Sequence, residues 1–220
     1  MANSFEGRQL RLTTLYFVYL QQYYARTFIN ETTRHYNEYS LICLTGSMYI
    51  KTRRAAAQVP GFAGTYQTND VLECLLQDHD QSVRLITENR LKLVWSRGGS
   101  EKQRQELYVV MCLIVTHECG EAVNNANVLL DEFPLYVESR NQRAIALFAL
   151  KKFEKSIEDS RIVMDLNPYH FGTVIGKGHA HLQFYDKSQA IECFQHALHV
   201  NPNLETIHRH VECLTQSRKI

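Results

Sequence analysis

The chain has 220 residues, 45% of them apolar, which is enough for one medium-sized folded domain or for one domain with an extension. Its formal net charge of +1 gives no sign of the concentrated positive charge that nucleic-acid-binding proteins carry. No stretch reaches the roughly 20 apolar residues that a membrane-spanning helix needs, so the sequence predicts a soluble protein.

The six cysteines form neither a CxxC pair nor the spacing pattern of a small disulfide-rich domain. A free cysteine behaves as a small apolar residue, so we expect mostly buried thiols and a reducing intracellular compartment. Residues 1–68 contain seven Lys or Arg and only three Glu, a composition typical of organellar transit peptides. The location therefore stays open between an organelle (plastid or mitochondrion) and the cytoplasm.

Three interpretations of residues 1–68 stay open. The segment is a targeting sequence, a disordered tail, or a folded extension in which the aromatic stretch from Leu10 to Ile29 forms an amphipathic helix that docks on the C-terminal half of the chain. The run Ala55 to Ala57, followed by Pro60 and Gly61, marks the predicted end of this extension.

Residues 69–100 predict two helices. Asn69 is a residue type favoured at a helix N-cap, and apolar residues follow it at helical spacing: Val71, Leu72, Leu75 and Leu76. A second partly helical pattern runs from Gln81 to Trp95, and Gly98-Gly99 breaks the chain after it. We expect a helical lead-in that covers the first helices of the following region.

Three of the four prolines, Pro134, Pro168 and Pro202, lie 34 residues apart. The last two stand in identical Asn-Pro dipeptides. Proline ends a helix cleanly because it has no backbone donor and a fixed φ. A period of about 34 residues is the length of one helical hairpin in a repeat array. The prolines therefore predict three successive hairpins.

Small side chains recur with about the same period inside the hairpins. Four positions before Pro202 hold small, small, large aromatic and small residues: Gly178, Ala190, Phe194 and Ala197. The same positions hold Ala144, Ser156, Ser160 and Val163 one period earlier, and Val110, Ala122, Ala126 and Leu129 before that. The small residues let helices approach closely, and the large one fills the hole between hairpins.

With these positions, the segments AIECFQHALHVNPN and IALFALKKFEKSIEDSRIVMDLNP resemble the tetratricopeptide repeat family, and GEAVNNANVLLDEFP resembles it more loosely. The resemblance implies an all-α array of tetratricopeptide-type hairpins, an α-solenoid, with repeats at 103–136, 137–170 and 171–204. Such an array needs capping helices because its ends expose apolar surface. Residues 205–218 predict that cap, with Ile207, Val211 and Leu214 facing inward.

The sequence has no GxSxG, HExxH, Walker phosphate-loop or GxGxxG pattern, so we predict neither an enzyme nor a cofactor. Seven of the ten histidines lie between His170 and His210. His196 and His199 share one helix face, as metal ligands do, but no Cys or carboxylate completes a ligand set. We predict no metal site and keep a metal-dependent function as a less favoured alternative.

In the resembled family, the first helices of successive hairpins line a concave surface that binds an extended or helical peptide. Carried over residue by residue, this groove consists of Leu107, Tyr108, Met111, Asn141, Gln142, Ile145, Phe148, Ile175, Gly176, His179 and Leu182. It is apolar with a few amides, and the resemblance implies that it holds another polypeptide. The alternative is that the lead-in or the extension buries several of these residues.

Chaperone-binding members of the family clamp a C-terminal carboxylate with Lys, Asn and Arg. The corresponding positions here hold Leu107, Met111, Asn141, Gly172 and Gly176, and without cations there is little to hold a carboxylate. We therefore expect a non-enzymatic adaptor or assembly factor whose partner is not a chaperone tail. Self-association into a dimer is the second hypothesis. RNA binding ranks last because the repeat half has slightly more acids than bases.

Overall fold

The computed structural model describes residues 5–59 and 69–216, and the boundary predicted at Pro60-Gly61 lies outside these ranges. Every regular element in the described part of the chain is an α-helix. The chain divides into two compact units, Met1–Arg97 and Gly98–Ile220. None of the helices found in the described ranges is long and apolar enough to cross a membrane.

The N-terminal unit contains six described helices: α1 (Phe5–Gln22), α2 (Ala25–His35), α3 (Glu38–Thr45), α4 (Ile50–Gln58), α5 (Asn69–Leu76) and α6 (Gln81–Ser96). The first four of them enclose an apolar cluster that includes Leu12, Tyr16, Phe28 and Leu44. The aromatic stretch of the extension is thus folded, and its buried rings come from α1 and α2.

Two arginine–aspartate pairs attach α4 to the turn between α5 and α6. Arg53 donates to both carboxylate oxygens of Asp78, at 2.6 and 2.9 Å, and Arg54 donates to both oxygens of Asp80, at 3.0 and 2.9 Å. Asp80 also accepts from the backbone of Val83 and so caps α6. These bonds lie inside the N-terminal unit and connect helices on both sides of the predicted boundary.

The C-terminal unit contains α7 (Glu101–Val115), α8 (Cys119–Glu132), α9 (Val137–Ala149), α10 (Phe153–Leu166), α11 (Phe171–Gln183), α12 (Lys187–Val200) and α13 (Glu205–Gln216). The first six form three hairpins, α7–α8, α9–α10 and α11–α12, and each hairpin packs on the next. On α13, Ile207 is buried and Val211 and Leu214 are partly buried against the last hairpin. The predicted all-α hairpin array with a C-terminal cap is confirmed.

The turn inside each hairpin has the same backbone geometry. A non-glycine residue takes a positive φ after the first helix: His117 at 64°, Lys151 at 58° and Tyr185 at 58°. The next residue's amide reaches back to a carbonyl in the last turn of that helix, as Lys152 does to Leu147 at 2.9 Å. This is the Schellman arrangement, which satisfies carbonyl groups that the helix end leaves free.

The cysteines correct one expectation. Only Cys119 and Cys193 are buried, whereas Cys43, Cys74, Cys112 and Cys213 are exposed. Most thiols of this chain therefore lie at the surface. All six are free cysteines.

Candidate functional site

A cavity of about 180 Å³ lies in the C-terminal unit between the second and third hairpins. Its walls come from α9, α10 and α11, and its lining residues are Asn141, Ala144, Ile145, Phe148, Ser156, Ser160, Gly172, Thr173, Gly176 and His179. Ile145, with 43% of its surface exposed, and the exposed Gly172 mark the side that faces solvent. We call this space the α9–α11 cavity.

Four of the predicted groove residues, Asn141, Ile145, Phe148 and His179, line the α9–α11 cavity. They come from the first helices of two successive hairpins, as the resemblance implies. Gly176, which the sequence placed among them, also lines it. Whether these residues contact a partner stays a prediction.

The remaining predicted residues have other surroundings. Leu107 is buried against Leu129 and Tyr136, so its side chain belongs to the core of the first hairpin and is not available to a partner. Met111 packs against the same cluster, and Tyr108 is 67% exposed. Ile175 and Leu182 are partly buried in the apolar cluster between the last hairpin and α13. Gln142 is half-buried and donates to Glu138.

A buried polar network joins α9 to the start of α11 beside the cavity. His170 Nε2 lies 3.2 Å from Glu138 Oε2, and the hydroxyl of Thr173 donates to Asn141 Oδ1 at 2.7 Å. The Asn141 amide in turn donates to Glu138 Oε1 at 3.0 Å. His170 also caps α11, since its Nδ1 accepts from the Thr173 backbone. The network fixes the Asn141 side chain at the edge of the cavity.

Glu138 contributes the carboxylate of this network. Burial alone would raise the pKa of its carboxyl, but the hydrogen bonds from His170, Gln142 and Asn141 outweigh burial and hold the pKa below its usual range. The carboxylate is therefore ionised at neutral pH and organises the three donors around it. The sequence analysis missed Glu138 and His170 because they lie 32 residues apart, with no local pattern to connect them.

A second network holds α9 against α8 and α10. Arg143 donates to both oxygens of Asp159 at 2.7 and 2.6 Å, and its third nitrogen donates to Asn127 Oδ1 at 2.8 Å. Arg140 adds a longer bond to Asp159 at 3.3 Å. The Asp159 side chain is only 4% exposed. This bidentate geometry is the strong form of an arginine–carboxylate pair, and it fixes one wall of the cavity.

The hydroxyl groups in the cavity wall are already hydrogen bonded within the chain. Ser156 donates to the carbonyl of Ala144 at 2.8 Å, and Ser160 donates to the carbonyl of Ser156 at 2.7 Å. No Asp, Glu, Lys or Arg is among the described residues that line the cavity. Its surface therefore has a largely apolar character.

Aromatic rings stand at both ends of the cavity. Phe148 packs on Phe153 at a centroid distance of 5.4 Å. At the other end, His179 lies 5.1 Å from Phe194 and 5.4 Å from His210, both in edge-to-face arrangements. Burial, with a smaller contribution from His210, lowers the pKa of His179, so its ring is neutral at physiological pH.

The histidines that the structure describes do not form a set of metal ligands. In residues 5–59 and 69–216, no three His, Cys, Asp or Glu side chains form a group that could hold a metal ion. His179 and His210 contact each other through their ring faces and edges. The metal-dependent alternative therefore gains no support from the described structure.

No protein-family model matches the sequence, and no curated protein matches it either. Solved structures of tetratricopeptide-repeat proteins do match. The first TPR domain of Spaghetti (RPAP3) bound to HSP90 peptide SRMEEVD is 20% identical, with a TM-score of 0.52 over 56% of this chain and 97% of that chain. The TPR protein YrrB, with an unusual peptide-binding site, is 14% identical, with a TM-score of 0.48 over 80% and 83%. The prediction of the tetratricopeptide-repeat fold is confirmed.

Proposed function

We propose that this chain is a non-enzymatic adaptor or assembly factor that holds a segment of another polypeptide at the α9–α11 cavity. The observation that carries the proposal is the cavity itself, about 180 Å³ between the first helices of two hairpins. Binding sites are typically concave and mostly apolar, with a few polar groups that fix orientation. Here Asn141 and His179 are the polar groups at the edge.

The two networks support this proposal because they prepare the cavity before a partner arrives. Asp159 attaches α9 to α10 through Arg143, and Glu138 with Asn141 attaches α9 to the start of α11 through His170 and Thr173. A site whose walls are already fixed loses less conformational freedom on binding. The same hydrogen bonds engage the charged side chains near the cavity, so these charges do not face an apolar partner.

The fold gives further support. The RPAP3 domain, which shares this fold, is bound to the HSP90 peptide SRMEEVD, which ends in an acidic residue. In this chain, the positions that correspond to the family's carboxylate clamp carry no cation: Gly172 and Gly176 have no side chain, and Leu107 is buried. We therefore expect the partner to present a neutral, apolar segment in place of an acidic terminus.

Affinity capture with the full chain tests the proposal, with Ile145→Arg as the decisive variant. Ile145 is 43% exposed at the open side of the cavity, so an arginine there reaches solvent without disrupting the core but charges the apolar entrance. Val128→Arg is the matched control, since Val128 is 69% exposed on the second helix of the first hairpin. We expect wild type and Val128→Arg to capture a polypeptide that Ile145→Arg does not capture.

Two other outcomes are informative. If Ile145→Arg captures the same polypeptides as wild type, the α9–α11 cavity is not the binding surface and the proposal is wrong. If no polypeptide is captured and the mass measured by light scattering rises with protein concentration, the chain associates with itself, as in the second hypothesis. Circular dichroism of both variants confirms that each retains the helical fold.

A further inference from the structure

The α9–α11 cavity occupies a place that an aromatic ring fills in the next hairpin. Phe194 is fully buried there. Its ring lies against the backbone of Gly178, 5.1 Å from the ring of His179 and 5.9 Å from the ring of His210 on α13. Phe194 thus closes the space between the third hairpin and the capping helix.

The residues 34 positions earlier leave this space open. Ser160 stands in place of Phe194, Ile145 in place of His179, and Gly176 in place of His210. All three changes remove a ring, and all three residues line the cavity. The cavity therefore arises because the second hairpin lacks the aromatic side chain that fills the third.

The size and chemistry of the space fit an aromatic ring. An apolar cavity of roughly 150 Å³ is large enough to bind benzene, and the α9–α11 cavity has about 180 Å³. The Ser156 and Ser160 hydroxyls donate to carbonyl groups of α9 and α10, so these donors are already used and do not favour a polar ligand. No charged side chain is among the described residues of the wall, and a charged guest would lose its hydration without gaining a partner.

We propose that the cavity binds one aromatic side chain of the partner polypeptide, near the place that corresponds to Phe194 in the next hairpin but clear of the Ala144 methyl group, since Ala144 stands where Gly178 leaves room for Phe194. This inference rests on the proposed function and specifies the class of segment that the site accepts. The ring would lie on the wall formed by Ala144 and Ser160, between Phe148 and His179. Aromatic side chains are suited to this role because they bury a large area and pack favourably edge-to-face against other rings.

Small aromatic probes test this inference on the full chain without a partner. We expect toluene and p-cresol, the side-chain analogues of Phe and Tyr, to perturb the NMR signals of Ala144, Ile145 and His179, whereas propionate and butylamine do not. Ser160→Phe supplies the missing ring from within the chain, and we expect it to weaken probe binding by about tenfold or more. Val128→Phe, which adds a ring at a 69% exposed position outside the cavity, should bind the probes as wild type does.

Gly176→Leu gives a second way to fill the cavity in case Ser160→Phe disturbs the fold. A Cβ at Gly176 meets no atom within 4 Å, so the leucine side chain has room to enter the cavity. Probe binding that is unchanged in both filled variants, or no probe binding to wild type, would overturn the inference.

The probes and the capture experiment separate the two proposals. A polypeptide that is lost with Ile145→Arg and still bound by folded Ser160→Phe would support the adaptor function and contradict the aromatic anchor. Probes that bind wild type but not Ser160→Phe, with capture unaffected by Ile145→Arg, would support a ring-sized site and contradict its use in the adaptor function. Both proposals stand only if the filled variants lose the probes and the polypeptide together.

Discussion

The ring of Phe194 lies so close to the backbone of Gly178 that a Cβ at residue 178 would come within 2.6 Å of Phe194 Cε1. The side chain of Cys193 would be 3.2 Å from the same Cβ. Because Phe194 is fully buried, its ring cannot turn away into solvent. This contact ties α11 to α12 and makes residue 178 intolerant of any side chain.

Gly178→Ala is therefore expected to lower the free energy of unfolding by about 1 to 3 kcal/mol, the usual cost of an overpacked core. Gly176→Ala is the matched control on the same helix, since a Cβ at residue 176 meets no atom within 4 Å. It should raise stability by up to about 1 kcal/mol, because alanine favours the helix more than glycine does. Guanidinium denaturation followed by circular dichroism measures both. Equal effects of the two substitutions would contradict the packing described here.

The Asp159 network gives a second prediction. Asp159→Asn leaves the guanidinium groups of Arg140 and Arg143 mostly buried without their carboxylate, and we expect a loss of about 3 kcal/mol. Asp165→Asn, on the same helix, is the control because Asp165 is 65% exposed and its partner Arg161 is exposed as well. Exposed pairs contribute little, so this variant should unfold almost as wild type does. A small effect at Asp159 would mean that the pair does not hold α9 against α10.

The sequence predicted the hairpins well because their determinants are local. The prolines 34 residues apart end second helices, and Gly178 and Phe194 stand at positions whose sizes agree with the observed packing. The cavity could only be anticipated in part. Ser160 was aligned with Phe194 from the sequence, but the empty volume also requires Gly176 on the neighbouring hairpin.

Two errors have a common physical cause. Leu107 was placed in the groove because of its position in the repeat, yet it is buried against Leu129 and Tyr136. One face of a helix in such an array can be exposed along part of its length and buried along the rest. Glu138 and His170 were not selected because their contact joins two hairpins. Such pairings depend on how successive helices pack, which residue spacing within one helix does not reveal.

The pKa of Glu138 predicts a dependence of stability on pH. Its folded-state pKa is lowered, so the carboxylate stabilises the fold above the unfolded-state pKa of about 4.3. That contribution is lost as the pH falls from there through the folded-state pKa. Glu138→Gln should lower the free energy of unfolding by about 1.5 to 3 kcal/mol at neutral pH, the range for hydrogen bonds to a charged group. It should also reduce the fall in stability at acid pH.

Hydrogen exchange of the α9 and α11 amides, measured from pH 7 down to about pH 2, reports on this part of the molecule through the range in which the Glu138 contribution is lost. The local readout matters because Asp78 and Asp80 also have lowered pKa values and lie in the N-terminal unit. If the protection of the α9 and α11 amides falls with pH in the same way in wild type and in Glu138→Gln, Glu138 is not the cause of that fall.

His179 predicts a second pH effect at higher pH. Burial and the neighbouring His210 lower the pKa of His179, so the unfolded chain binds a proton more readily than the folded one. Stability from this group is complete above the unfolded value of about 6.5 and is lost as the pH falls below it. NMR titration of the His179 ring should give a midpoint below about 6.5. His179→Leu should reduce the loss of stability between pH 7.5 and 5.5. A midpoint at or above the unfolded value would reject the expected burial.

The repeated turn geometry supplies the last prediction. Lys151 adopts a φ of 58°, in the left-handed region that costs a residue with a Cβ about 1 to 2 kcal/mol. Glycine avoids this cost but loses more chain entropy on folding, by about 0.5 to 1 kcal/mol, so Lys151→Gly should stabilise the unit by about 0.5 to 1 kcal/mol. Lys155→Gly removes the same charge four residues later, inside α10, where glycine costs about 1 kcal/mol. Denaturation midpoints that move in opposite directions for the two variants are the expected result. Movement of both toward lower stability would show that the turn at Lys151 is not strained.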